Sequence, residues 1–279
     1  MYLSVSDTKL FASAEGIENA PLVIALHGGR GTSDHAGEIA AFKVLSDKFR
    51  VVAYDQRGCG RSERGEDISP ERLIDDLEEV RLQLGRNRPA IIIGFSYGGI
   101  IALRHALSHP LAVSHLVLIG TPLSHHFEET ALREFEKRRA VDAPAASVAI
   151  VEKMLRHGFG SETECRIVQF ALRGLYTPGI SPEEALEWAA NPSRKIDIGV
   201  HKRLWMGTKY DIRPLLSGLR AKVLAISGEL DWLVPPSSAE ELRALVPGAR
   251  AVVVPGVGHS AHHDAHDAVL KEIREFLDS

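Results

Sequence analysis

The chain lacks the features that mark several classes of protein. Its 279 residues include two cysteines, Cys59 and Cys165, and no metal-ligand spacing joins them. This cysteine usage fits a reducing compartment better than a disulfide-stapled scaffold. The formal net charge of −4 at pH 7 also leaves no basic surface for nucleic acid.

Long apolar runs are missing as well. The longest are the length of strands, so no transmembrane segment is predicted, and the first ten residues lack the basic and apolar regions of a secretory signal. We therefore expect a cytoplasmic protein that acts on a small-molecule substrate, with neither nucleic acid nor a membrane as a partner. The sequence leaves the oligomeric state open.

What the chain does contain is a series of short apolar runs that alternate with helical patterns. They are apolar on both faces, as strands of a parallel sheet between layers of helices must be. The runs are residues 22–26, 51–54, 91–93, 116–119, 223–226 and 251–254. Together with an antiparallel hairpin predicted for the first ten residues, they indicate the α/β fold class.

Serine and acidic residues mark the starts of two helices. Ser69 stands before Pro70 and is followed by acidic residues, so we expect this serine to cap a helix. Ser237 precedes Glu240 and predicts a second helix that begins in the same manner.

One long segment interrupts the strand pattern. Residues 122–212 are helical in pattern and highly charged, and they are too many for a plain loop. We predict a helical cap inserted between two parts of a core, residues 1–121 and 213–279. Ligands of open parallel sheets bind beyond the carboxyl ends of the strands, where this cap emerges. The alternative is that its helices pack on the core without contacting substrate.

A Gly-x-Ser-x-Gly motif makes Ser96 the candidate nucleophile. The apolar run at 91–93 leads directly into the motif at residues 94–98 and then into a helical pattern. Such a strand-to-helix corner exposes the serine hydroxyl at a helix N-terminus, which favours developing negative charge. Glycines at both ends of the motif leave room for the tight corner.

Two further residues complete a candidate catalytic triad. A serine nucleophile needs a histidine base, and the base needs a carboxylate to orient it. His259 follows the last apolar run, and Asp231 follows the run before it. Glu229 is a second carboxylate that could serve in place of Asp231.

A glycine-rich stretch and a group of histidines complete the candidate site. The stretch begins at His27, and we expect the backbone N–H groups of Gly29 and Tyr97 to form the oxyanion hole, while His27 hydrogen-bonds the loop. Near His259 lie three more histidines with two aspartates, which we interpret as the solvated start of a helix. The histidines are His262, His263 and His266. We predict no metal and no cofactor.

These motifs resemble the α/β-hydrolase superfamily over essentially the whole chain. The segments that carry the resemblance are residues 27–29, 94–98, 228–231 and 258–259. The resemblance implies an α/β-hydrolase fold, a mostly parallel eight-stranded sheet flanked by helices with a helical cap insertion. It also supports catalysis by Ser96, Asp231 and His259 in that chain order.

A narrower resemblance concerns prolyl aminopeptidases. Residues 55–62, Asp-Gln-Arg-Gly-Cys-Gly-Arg-Ser, are similar to a motif of that family, which cleaves N-terminal proline without a cofactor. The chain departs from the family where Arg30 replaces a proline and where Phe95 and Tyr97 flank the serine. The second departure is closer to general esterases, lactonases and carbon–carbon bond hydrolases.

The sequence therefore predicts a serine hydrolase that cleaves a small carboxylic ester or lactone through an acyl-enzyme on Ser96. An aminopeptidase or amidase of the prolyl aminopeptidase type is the first alternative. A ligand receptor that keeps the hydrolase fold is an alternative of another class, and a haloperoxidase-like perhydrolase is a further possibility.

Overall fold

The structure is a computed structural model that describes residues 1–205 and 209–279. No helix within these two ranges is long and apolar enough to cross a bilayer.

An eight-stranded sheet forms the centre of the described structure, in the order β1-β2-β4-β3-β5-β6-β7-β8. The strands are β1 Tyr2–Val5, β2 Thr8–Gly16, β3 Leu22–Leu26, β4 Arg50–Tyr54, β5 Ala90–Phe95, β6 Val113–Ile119, β7 Lys222–Gly228 and β8 Arg250–Val254. Strand β2 pairs antiparallel with β1 and β4, and the pairs from β4 onward are parallel. The predicted hairpin and the mostly parallel eight-stranded sheet are confirmed.

Helices lie between these strands. They are α1 Ala36–Phe42, α2 Pro70–Gly85, α3 Tyr97–Ser108, α4 Phe127–Asp142, α5 Val148–His157, α6 Glu162–Ala171, α7 Arg173–Tyr176, α8 Pro182–Ala190, α9 Ile198–Trp205, α10 Ser237–Leu245, α11 Ala261–Asp264 and α12 His266–Leu277, with 3₁₀ turns at Lys43–Asp47 and Arg213–Gly218. We call residues 127–205, which contain α4 to α9, the helical insertion. The proposed division into residues 1–121, 122–212 and 213–279 stays a prediction.

The two helix starts predicted from serines have different outcomes. The Ser69 hydroxyl accepts a hydrogen bond from the Arg72 backbone N–H, and Pro70 is the first helical residue, as expected. Helix α10 begins at Ser237, but the residue before it is Pro236 and no side chain caps the helix. The prediction of a serine cap was wrong there because Ser237 already lies inside the helix, where its hydroxyl cannot reach the first free N–H groups.

Within the part of the chain that the structure describes, the apolar core has three clusters. Alternate residues of the strands divide between two clusters, so Ile24 lies in one and Val23 in the other, which places one cluster on each face of the sheet. A third cluster lies within the helical insertion and includes Phe135 together with Trp232, which comes from the loop after β7. The insertion thus has its own core, and one residue from the sheet's loops is part of it.

Candidate active site

Ser96 lies in a strained turn between β5 and α3. Its backbone angles are φ 50° and ψ −116°, a conformation that costs free energy for a residue with a side chain and that persists at functional sites. The turn is tight, because a Cβ on Gly98 would lie 2.5 Å from the Leu26 carbonyl oxygen. Tyr97 is the first residue of α3, so its N–H has no acceptor within the helix.

His259 is held by Asp231. The His259 Nδ1 atom and an Asp231 carboxylate oxygen lie 2.7 Å apart, and both side chains are buried. The other Asp231 oxygen accepts hydrogen bonds of 2.9 Å from the backbone N–H groups of Leu233 and Val234. These bonds fix the carboxylate, so the carboxylate in turn fixes the orientation and tautomer of the imidazole.

The neighbouring carboxylate has a different partner. Glu229 is exposed and accepts a hydrogen bond of 2.9 Å from the Gly256 N–H. The arrangement therefore favours Asp231 over Glu229 as the group that orients His259.

The loop after β3 brings Gly29 to the site. Gly29 has φ +69°, which suits glycine because it carries no Cβ. His27 is fully buried and accepts a hydrogen bond from the Gln56 N–H at 3.0 Å, while the Gln56 side chain donates to the His27 carbonyl oxygen at 2.7 Å. Burial lowers the pKa of His27. Gln56 belongs to the motif at residues 55–62, so part of that motif shapes the Gly29 loop.

The rest of that motif is structural. The Asp55 carboxylate accepts hydrogen bonds from the His35 side chain at 2.6 Å and from the Arg61 N–H at 2.7 Å. The buried Arg57 guanidinium donates two hydrogen bonds to Asp76, of 2.9 and 2.7 Å. Bidentate pairs of this kind hold a loop in one geometry.

A cavity of about 480 Å³ connects these elements. Gly29, Ser96, Tyr97 and His259 line it, and Asp231 lies behind His259. Gly29, Ser96 and His259 follow β3, β5 and β8. The carboxyl ends of these parallel strands lie at one edge of the sheet, which is where ligands of such sheets bind.

Residues of the helical insertion line the opposite side of this cavity. They include Leu172, Arg173, Tyr176, Trp188 and Arg194. Sequence reasoning missed Arg173, Trp188 and Arg194, because nothing in the sequence pattern shows that α7, α8 and the segment after α8 converge. Arg30 also lines the cavity. The sequence could have indicated this, because Arg30 directly follows Gly29.

One interpretation of the histidines near His259 was wrong. His262 is fully buried, with its ring stacked 5.7 Å from that of Phe42 and tilted 4.6 Å from that of Phe95. Burial holds the pKa of His262 well below its usual value. His263 and Asp267 are exposed, as expected. The sequence could not show the burial of His262 because Phe42 and Phe95 are distant in the chain.

Among residues 1–205 and 209–279, three groups of side chains have the composition and spacing to hold a metal ion. In each, one ligand-type atom per residue lies within 4.8 Å of the others. The groups are Asp34, His35 and Asp55; Glu78, His105 and His109; and Glu38, His262 and His263. The first two contain hydrogen-bonded carboxylate–histidine pairs. In the third, burial raises the pKa of Glu38 to about 8, which favours the neutral acid at pH 7.

Comparison with known proteins identifies the family. A family model described as the alpha/beta hydrolase fold matches residues 21–266. The chain belongs to this family. The α/β hydrolase is also 32% identical over 280 residues to the proline iminopeptidase PfmaB of Pestalotiopsis fici, with 99% of each chain covered. The superfamily resemblance and the narrower resemblance to prolyl aminopeptidases are both confirmed.

Solved structures support the same fold. The enol-lactonase from Burkholderia xenovorans LB400 matches with a TM-score of 0.75 and 23% identity, and the match covers 100% of each chain. The esterase RhEst1 from Rhodococcus sp. ECU1013 matches with a TM-score of 0.76 and 21% identity, covering 100% of this α/β hydrolase and 98% of the esterase. At these identities the likeness concerns the fold alone, and the predicted α/β-hydrolase fold is confirmed.

Proposed function

We propose that the protein is a serine hydrolase that cleaves a small carboxylic ester or lactone. The observation that carries this proposal is the strained Ser96 turn in the same cavity as His259, whose Nδ1 lies 2.7 Å from the Asp231 carboxylate. A nucleophile, a base and a carboxylate that orients the base are the groups that acyl transfer requires.

The first half of the proposed reaction forms the acyl-enzyme. Ser96 Oγ attacks the substrate carbonyl carbon while His259 Nε2 takes the hydroxyl proton, and the His259 Nδ1–H donates to Asp231. The carbonyl oxygen becomes an oxyanion that accepts hydrogen bonds from the Gly29 and Tyr97 N–H groups. His259 then gives its proton to the departing alcohol oxygen as the carbon–oxygen bond breaks.

The second half releases the acid. Water enters, His259 takes one of its protons, and the hydroxide oxygen attacks the ester carbonyl on Ser96. The bond to Ser96 Oγ breaks, the proton returns from His259 to that oxygen, and a carboxylic acid leaves. In a lactone the alcohol and the acid belong to one molecule, so the product is a hydroxy acid.

A second candidate function is cleavage of an N-terminal peptide bond. The relationship to proline iminopeptidase PfmaB, at 32% identity over the whole chain, favours it. The composition of the cavity argues against it, because an N-terminal ammonium would face Arg30, Arg173, Arg194 and Lys195. Like charges in one site repel, so we rank the ester or lactone first.

Ser96→Ala tests the nucleophile. We expect kcat for p-nitrophenyl acetate to fall by roughly 10⁴ or more, and labelling by a fluorophosphonate to disappear. Ser114→Ala is the matched control, since Ser114 lies at the other end of the sheet, with its hydroxyl 3.3 Å from the Ala90 carbonyl oxygen. Near-normal turnover by Ser96→Ala would remove Ser96 from the mechanism.

A substrate panel separates the candidate functions. Short-chain p-nitrophenyl esters, acyl-homoserine lactones and proline p-nitroanilide are compared by kcat/KM. Preference for the anilide would support the aminopeptidase, and labelling of Ser96 followed by a single turnover at most would support a receptor. We expect multiple turnovers with an ester or a lactone.

A further inference from the structure

The cavity has an excess of positive charge. Its cationic lining residues are Arg30, Arg173, Arg194 and Lys195, and its acidic ones are Asp34 and Glu38. None of the four cations forms a salt bridge with a carboxylate within residues 1–205 and 209–279. The three remaining residues, 206–208, are Met-Gly-Thr and carry no carboxylate side chain. Burial raises the pKa of Glu38 to about 8, so this acid is mainly neutral at pH 7 and adds little negative charge to the cavity.

Arg173 has a buried hydrogen-bond donor, its Nε–H, without an acceptor among the described residues. Burial lowers the pKa of its guanidinium. Its Cζ atom lies 4.1 Å from the centroid of the Trp188 ring. A half-buried cation with an unsatisfied donor is unfavourable in the free protein, and an anion that reached this guanidinium would supply an acceptor.

Arg194 approaches the same tryptophan. Its Cζ atom lies 3.6 Å from the Trp188 ring centroid, and its guanidinium donates to the Gln169 side-chain oxygen at 2.8 Å. Burial lowers the pKa of Arg194 to about 10, and Arg173 contributes to that effect by repulsion. Two guanidinium groups are thus held near one ring by aromatic and amide contacts, although Asp264 attracts Arg173 and Asp34 attracts Arg194 through longer-range charge interactions.

The short helix α7 places Arg173 close to the candidate base. Tyr176 is three residues after Arg173 on this helix, so the two side chains lie on the same side of it. The Tyr176 ring centroid is 5.7 Å from that of His259. A group bound by Arg173 would therefore lie in the cavity that Ser96 and His259 also line, on the side where α7 adjoins His259.

Arg30 adds a cation on the oxyanion side. It follows Gly29, it is buried, and its Cζ atom lies 4.9 Å from the Tyr97 ring centroid. This is the position at which the chain departs from the proline of the aminopeptidase motif. The departure places positive charge beside the reacting carbonyl, where it disfavours an ammonium group.

We propose that Arg173 and Arg194, whose guanidinium groups both lie over the Trp188 ring, form a subsite for a substrate carboxylate. The enzyme would then prefer esters or lactones that carry a second, ionised carboxyl group. The Nε and one Nη of a guanidinium match the two oxygens of a carboxylate. This inference rests on the proposed hydrolase function, which supplies the reacting ester.

The test compares two esters of the same length. Mono-p-nitrophenyl adipate carries a free carboxylate, and methyl p-nitrophenyl adipate is its neutral counterpart. We expect the natural protein to have the higher kcat/KM for the anionic ester. In Arg173→Gln the ratio of the two kcat/KM values should fall by roughly tenfold to a hundredfold, in line with the loss of a charge-assisted hydrogen bond.

Two further variants keep the result interpretable. Arg173→Lys retains the charge without the planar fork, so its ratio should lie between those of the natural protein and Arg173→Gln. Arg133→Gln removes an exposed arginine of α4 that does not line the cavity, and its ratio should equal that of the natural protein. Preference for the neutral ester by the natural protein, or an equal fall in Arg133→Gln, would overturn the proposal.

A binding measurement separates this inference from the proposed function. If neither ester is turned over, the hydrolase proposal fails, and the subsite is then judged by calorimetric titration with monomethyl adipate. Binding by the natural protein that Arg173→Gln weakens tenfold or more supports the subsite. Absence of binding by the natural protein, or equal binding by Arg173→Gln, overturns it.

Discussion

Two regions of the molecule enclose the same cavity by different means. Ser96 and His259 follow strands of one sheet, whose hydrogen-bonded register fixes where the strands end. Arg173 and Trp188 lie on separate helices of the insertion, which has a hydrophobic cluster of its own. The groups proposed to react are thus set by the sheet, and the groups proposed to select a substrate are set by helix packing. A change in the insertion can alter selectivity while the strand ends stay in place.

The two regions nevertheless contact each other beside Asp231, the carboxylate proposed to orient His259. Trp232 follows Asp231 directly, is fully buried, and belongs to the insertion's cluster, with its ring centroid 5.5 Å from that of Tyr176. Arg138 of α4 also donates to the Leu230 carbonyl oxygen. The insertion therefore supports the loop that carries Asp231, and a disturbance of its core can reach the base.

The largest effect after loss of Ser96 is expected from Asp231→Asn. The amide keeps the size of the carboxylate but stabilises the wrong tautomer of His259, so kcat should fall by roughly 10⁴. Glu229→Gln is the matched control, because Glu229 is exposed and accepts a hydrogen bond from the Gly256 N–H. Steady-state kinetics with p-nitrophenyl acetate measures both. A large fall of kcat in Glu229→Gln with a small one in Asp231→Asn would assign Glu229, and not Asp231, as the carboxylate that orients His259.

The same division explains what could be predicted from sequence. Ser96, Asp231 and His259 each follow a short apolar run, and a parallel sheet brings the carboxyl ends of such runs to one edge. The convergence of Arg173 and Arg194 on Trp188 depends on how α7 packs against α8 and the segment that follows α8, which the local sequence pattern does not encode. The burial of His262 likewise depends on a distant ring, that of Phe42.

A smaller effect is expected from Phe135→Ala in the insertion's core. Phe135 is fully buried, and its ring centroid lies 6.3 Å from that of Trp232. Removing the ring leaves a cavity and should lower the free energy of unfolding by about 3–5 kcal/mol. Denaturant unfolding measures this. Val141→Ala is the control on the same helix, since Val141 is 84% exposed and its loss should change stability by less than about 0.5 kcal/mol. Equal stability of the two variants would show that the insertion has no packed core.

The smallest effect is expected from Glu38→Gln, and it depends on pH. Burial raises the pKa of Glu38 in the folded protein from 4.5 to about 8. Between these pH values the unfolded chain releases the Glu38 proton and the folded protein keeps it. The contribution of Glu38 to the free energy of unfolding is therefore largest below pH 4.5 and is lost as the pH rises through about 8.

Glutamine resembles the protonated acid and does not titrate. Relative to the natural protein, Glu38→Gln should therefore gain about 2 kcal/mol of stability between pH 6 and pH 8, measured by denaturant unfolding at the two pH values. Glu183→Gln, at an exposed position of α8, controls for the loss of a surface charge. If the difference between Glu38→Gln and the natural protein does not change with pH, Glu38 is ionised in the folded protein and the positive charge of the cavity is smaller than we infer. A pH-dependent gain instead shows that Glu38 is neutral in the folded protein at pH 7, and it strengthens the case for an anionic substrate.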